Sequence, residues 1–138
     1  MTGALKVAAT EASLAGIRTW LDQTVGACVA DTGIQARLVL AVHEVAANVI
    51  EHAYAGAARQ RLTVTIDITP ARVTARVDHA GTPLDPTTLT PPVFDGTRSR
   101  GFGLWLASRA CSDVTFASDD ANRHSVILTI HLTNKAAS

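Results

Sequence analysis

Apolar residues recur along this chain with two different periods, and the switches between them mark its elements. Leu14, Ile17, Leu21 and Val25 lie on one face of a helix, and Thr10 is a suitable N-cap, which predicts a helix running to about Ala27. Leu5–Ala9 ahead of it reads as a short strand. Asp31-Thr32-Gly33 interrupts the pattern. Thr32 followed by Gln35 has the form of a capping box and opens a longer helix, expected to end near Ala55-Gly56 with Gly56 in a C-terminal left-handed position.

The period then changes to two. Leu62, Val64, Ile66 and Ile68 alternate through RLTVTIDI, and Val73, Ala75, Val77 and His79 alternate after Pro70-Ala71, so the two runs form a β-hairpin. Gly81 to Arg100 shows neither period and reads as a long loop with one helical turn near Pro86–Leu89. Loops of that length in compact domains are functional or disordered. A short helix over Gly103–Cys111 follows. A second hairpin pairs Val114–Ala117 with Ser125–Leu132 around Ser118–Asn122, and Thr133–Ser138 is a frayed tail. Helices and a mixed, mostly antiparallel sheet sharing one core give a two-layer α/β sandwich of the α+β class, with helices on one face.

Composition narrows the function. A chain of 138 residues fits one domain, residues 1–138 with a core from about 5 to 132, and needs no metal or disulfide staple. The formal net charge is zero, so the basic footprint of a nucleic-acid binder is missing. No apolar run is read as reaching the roughly 20 residues of a membrane helix. MTGALKVAAT lacks the apolar centre of a signal peptide, so a cytoplasmic protein is expected. Cys28 and Cys111 lack CxxC spacing and read as small buried residues.

The chemistry starts on the second helix, where Leu38–Tyr54 reads LVLAVHEVAANVIEHAY. Glu44 and Asn48 are four residues apart and share a face. On so apolar a helix they need partners, since an unsatisfied buried polar group costs about 1–3 kcal/mol. His52, one step further, falls nearer the face of Leu38, Val45 and Val49 and reads as a packed histidine. Trp20 and Trp105 read as core or interface. After the second hairpin strand comes Asp78-His79-Ala80-Gly81, and the loop ends in Arg98-Ser99-Arg100-Gly101-Phe102-Gly103-Leu104 as a helix opens. Glycines at a helix N-terminus let backbone N–H groups approach an anion. An asparagine oxygen can ligate Mg²⁺, whose other ligands are phosphate oxygens and water. Together these point to a nucleoside triphosphate site, and the sequence holds no GxxxxGK[ST] loop.

ExxxN on a helix, a glycine turn after a strand and GxGL opening a helix resemble the N box and the two glycine boxes of the Bergerat-fold (GHKL) ATPases, which include gyrase and the histidine kinases. The segments GTPLDP and RGFGLWLASRACSDVTF look specifically like the anti-sigma factor serine/threonine kinases of bacterial partner-switching systems, over about Val39–Leu132. The resemblance implies ATP and Mg²⁺ as cofactors. It implies Glu44 as the general base for a protein serine, Asn48 as the Mg²⁺ ligand and Gly101 and Gly103 beside the phosphates. Leu104 would back the pocket, Arg98 and Arg100 would reach the γ-phosphate, and residues at the Gly81 turn would hold adenine. The implied partners are a STAS-domain anti-anti-sigma protein and a sigma factor, with the kinase itself a homodimer.

One position departs from the family pattern DxGxPxDP. Anchoring on Gly81, Pro83, Asp85 and Pro86 puts His79 where the adenine-binding aspartate is expected, and the strand alternation turns Asp78 to the other face. A carboxylate only accepts hydrogen bonds, whereas neutral imidazole has one donor and one acceptor. The expectation is weaker or altered nucleotide binding. The alternative function is a non-catalytic module that binds the same partners through protein contacts. A histidine kinase or a gyrase-like ATPase would need further domains.

Overall fold

The computed structural model describes residues 1–53, 60–81, 83–84 and 103–132. The elements follow the predicted order: β1 (Thr2–Ala8), α1 (Glu11–Gly26), α2 (Thr32–Asn48), a π-helical turn (Val49–Ala53), β2 (Arg61–Ile68), β3 (Arg72–Ala80), α3 (Gly103–Ala110), β4 (Asp113–Ser118) and β5 (Arg123–His131). The strands form one sheet in the order β1-β2-β3-β5-β4, and every pairing is antiparallel.

Cross-strand rows show how the alternation builds the core. Leu5 faces Val64, Val64 faces Val77, Val77 faces Val126, and Val126 faces Phe116. The next row joins Ile66, Ala75, Leu128 and Val114. These rows are covered by Ile17, Leu21 and Val25 of α1, by Leu38, Val42 and Val45 of α2, and by Leu104 and Ala107 of α3. The other face carries Thr63, Thr65, Arg76 and Asp78, all at least partly exposed. The result is the α+β two-layer sandwich with helices on one face.

Several local readings change. Asp31, not Thr32, caps α2, because its Oδ1 accepts from the amides of Gly33 at 2.9 Å and Ile34 at 3.1 Å. The Gln35 side chain, predicted to reach back to a capping residue, instead donates to the Val29 carbonyl at 2.6 Å. The α-helical stretch of the second helix stops at Asn48 and becomes a π-turn, and Gly56 lies outside the described residues. Cys28 is exposed, and only Cys111 is partly covered. The run Thr32–Glu51 is 20 residues long with mean hydropathy 1.2, enough by length and composition to cross a membrane, contrary to the sequence reading. Its Leu38, Val39, Ala41, Val42, Val45, Ala46 and Val49 are buried in the shared core, as in the central helix of a packed domain.

The helices are tied to each other and to the sheet. Arg37 of α2 donates from Nε to the Ala110 carbonyl at 2.9 Å, satisfying a carbonyl at the end of α3. Leu84, three residues after Gly81, is again buried in the core, so the chain leaving β3 is pinned soon after its turn.

Candidate functional site

Glu44 and Asn48 sit one turn apart on α2, each partly buried, beside fully buried Val45 and Ala46. Asn48 donates from Nδ2 to the Glu44 main-chain carbonyl at 2.8 Å. This bond engages Nδ2 and leaves the acceptor capacity of Oδ1 uncommitted by it. Asn48 is also the last α-helical residue before the π-turn. Single π-turns inside helices are frequent at functional sites. An amide oxygen left available in this way suits Mg²⁺, which takes its remaining ligands from phosphates and water. Among the described residues, no three His, Cys, Asp or Glu side chains converge.

At the sheet end of the site, β3 has the register the sequence predicted. His79 is buried on the helix-covered face with Val73, Ala75 and Val77. Asp78 points to the opposite face, where it accepts from Arg76 Nε at 2.8 Å and from the Ser125 hydroxyl. Of the two neighbours, His79 and not Asp78 is therefore turned toward the helix-covered face. Its Nδ1 lies 2.9 Å from the Ala80 carbonyl. That places the proton of neutral His79 on Nδ1 and its lone pair on Nε2. Burial pushes the His79 pKa below 6.5, and nearby His124 pushes it the same way, against the Ala80 carbonyl and Asp78. Near pH 7 the ring is neutral.

Gly81 follows in a left-handed conformation, φ 84°, which an L side chain adopts only under strain. Here the strand ladder ends, and a cavity of about 410 Å³ opens, lined in part by His79, Pro83, Leu84, Phe116, Ser118 and His124. Leu104, in the first turn of α3, is 2% exposed and packs in the core, and Gly103 begins that helix. Arg98, Arg100 and Gly101 lie outside the described residues, as do Asp85, Pro86 and the helical turn predicted near Pro86–Leu89. The side chain of His52 is likewise not described. Trp20 is partly buried against the core and Trp105 is half-buried, in line with a packing role.

Sequence reasoning missed His124. It is paired directly with His79 across β3 and β5, with ring centroids 5.4 Å apart. Its Nε2 is 3.0 Å from the Gly81 carbonyl, and its Nδ1 is 2.7 Å from Ser118 Oγ. A histidine on the inward phase of an otherwise apolar strand was the available signal.

A sheet with helices on one face, an ExxxN helix and a glycine turn at the end of a central strand define a nucleotide-binding ATPase domain. The family model described as histidine kinase-like ATPase domain matches residues 7–130, and the chain belongs to that family. Sequence comparison with curated proteins gives no match. Among solved structures, the chain is similar to the RsbU and RsbW domains of Rv1364c from Mycobacterium tuberculosis, at 21% identity and TM-score 0.68 over 96% of this chain and 33% of that one. It thus spans about a third of the length of that relative. It is also similar to a structure of the SiaB–SiaC complex from Pseudomonas aeruginosa, at 16% identity and TM-score 0.57, covering 93% of this chain and 89% of that one. Both likenesses concern the fold.

Proposed function

We propose that this protein is an ATP- and Mg²⁺-dependent serine protein kinase that also acts as an anti-sigma factor in a partner-switching system. Its substrate would be a STAS-domain anti-anti-sigma protein, and it would sequester a sigma factor in its other state, acting as a homodimer. The observation that carries this reading is the ordered Glu44–Asn48 pair on an otherwise apolar helix of a histidine kinase-like ATPase domain. The fold likeness to a structure containing an RsbW domain supports the same class.

Each residue has a role in this reading. The substrate serine oxygen attacks the γ-phosphorus, the bond from that phosphorus to the β–γ bridging oxygen breaks, and ADP leaves. Glu44 accepts the serine proton as the new O–P bond forms. Asn48 would hold Mg²⁺, which neutralises charge on the phosphates. Gly81 lets the chain turn at the base end, and Gly101, Gly103 and Arg100 belong to the phosphate end. Leu104, packed in the core, would back the nucleotide pocket.

A second reading rests on His79. Replacing a carboxylate acceptor by a bulkier neutral ring weakens the hold on adenine, which favours a module that binds its partners without nucleotide control. Incubation with radiolabelled ATP, Mg²⁺ and a purified STAS-domain protein tests both. Label on a serine of the STAS protein, lost in Glu44→Gln, supports the kinase. Partner binding that ignores ATP and Mg²⁺, with no transfer, supports the module.

A further inference from the structure

We infer that His124 is a positioning residue: its Nε2–H grips the Gly81 carbonyl and so lets the β4–β5 hairpin set the shape of the nucleotide pocket. The inference rests on the nucleotide-binding reading above and adds a residue outside the recognised boxes.

The β3–β5 ladder has Ala80 opposite Arg123 as its last pair, so among the described residues no strand bond directs the carbonyl of Gly81 beyond it. Gly81 is also in the left-handed region, which glycine enters without the steric cost a Cβ would impose. His124 supplies the missing restraint. It is 8% exposed, and its Nε2 lies 3.0 Å from Gly81 O and 3.1 Å from Asn122 Oδ1. Two oxygen acceptors around one ring nitrogen require a proton there. The opposite nitrogen, Nδ1, then accepts from the Ser118 hydroxyl at 2.7 Å, which fixes the ring plane.

The hairpin that carries these groups is itself preorganised. Asp119 Oδ1 accepts from the amides of Ala121 at 2.9 Å and Arg123 at 3.0 Å, and Asn122 holds φ 60°. Beyond the last ladder pair, the imidazole ties this turn to the first residue after β3. His124 also lines the same cavity as His79, Pro83 and Leu84.

The test compares wild type, His124→Leu and His124→Gln by amide hydrogen exchange without nucleotide and by ATP titration. Glutamine retains a donor of similar reach, and leucine retains bulk alone. The expected result for His124→Leu is exchange at Gly81 and Leu84 faster by about tenfold, with Val64 unchanged. ATP affinity should fall by about tenfold, and His124→Gln should restore both to within about threefold. Unchanged exchange at Gly81 in folded His124→Leu overturns the clamp, as does equal loss in the Gln and Leu variants. If wild type binds no ATP, the function and the nucleotide half of this inference fail together, and the Gly81 exchange still decides the clamp. If His124→Leu does not fold, the imidazole ¹⁵N spectrum of wild type decides it. A protonated Nε2 supports the clamp, and a lone-pair Nε2 overturns it.

Discussion

The side-chain amide of Asn48 is hydrogen-bonded to the main-chain carbonyl of Glu44, so Asn48 is tied to the backbone of Glu44 and this bond does not involve the Glu44 carboxylate. Either can therefore be changed without stranding the other. Glu44→Gln is expected to cut phosphate transfer by about 10²- to 10⁴-fold while leaving the ATP dissociation constant within about threefold. Asn48→Ala is expected to abolish the Mg²⁺ enhancement of nucleotide binding. Calorimetric titration with and without Mg²⁺, beside a transfer assay, checks both. Transfer retained in Glu44→Gln removes that residue from the base role.

His79→Asp restores the acceptor that the family pattern expects. A charge-assisted hydrogen bond is about twice as strong as a neutral one, so ATP should bind roughly tenfold tighter. The same change buries a carboxylate beside Val77 and should lower the melting temperature. Equal ATP affinity in the two proteins would show that His79 does not limit binding.

The lowered His79 pKa has a signed consequence for stability. Below its ordinary value of 6.5 the unfolded chain takes up the proton, whereas the native ring stays neutral until its own lower value is reached. The unfolded state binds more protons across that window, so unfolding becomes easier as pH falls through it, and the contribution is flat well above pH 6.5. Urea titrations from pH 8 to pH 5 should show this slope in wild type and a shallower one in His79→Gln.

The two thiols should differ sharply in reactivity. Burial pushes the Cys111 thiol up to about 11, against a smaller opposing pull from Arg37, whereas Cys28 is exposed. At pH 8 only about one in a thousand Cys111 thiols is ionised. Iodoacetamide followed by mass spectrometry should give one fast modification, at Cys28, with Cys111 reacting only on unfolding.

Asp31→Ala removes the acceptor for two amides at the start of α2 and should cost about 1 kcal/mol. Thr32→Ala should cost much less, because no capping bond depends on it. Thermal unfolding of the two variants separates the Asp31 cap from the capping box that Thr32 and Gln35 suggest.

The strands were legible because their alternation is driven by one buried face, and alternate residues from Leu62 to Ile68 and from Val73 to His79 are buried as the pattern required. The inward position of His79 was legible for the same reason. The cap at Asp31 was not, since two adjacent residues each carry a suitable oxygen and only the backbone entry angle chooses between them. The π-turn at Val49–Ala53 left no mark in a run that is apolar at most positions. Cys28 looked like core because cysteine usually is, yet it falls just beyond α1, between exposed Ala27 and buried Val29. The phase of its strand marks His124 as inward, but its place beside His79 required knowing that the strand pairs with β3, a long-range fact that periodicity along one strand does not contain.

Asp78 and His79 present opposite chemistries to opposite sides of one sheet, separated by a single pleat. A one-residue bulge inserted just ahead of them would trade a neutral ring for an anion at the cavity beside Gly81 without altering either residue. The preference of this pocket is therefore stored as the phase of a strand, where a change in chain length can rewrite it as readily as a change of side chain.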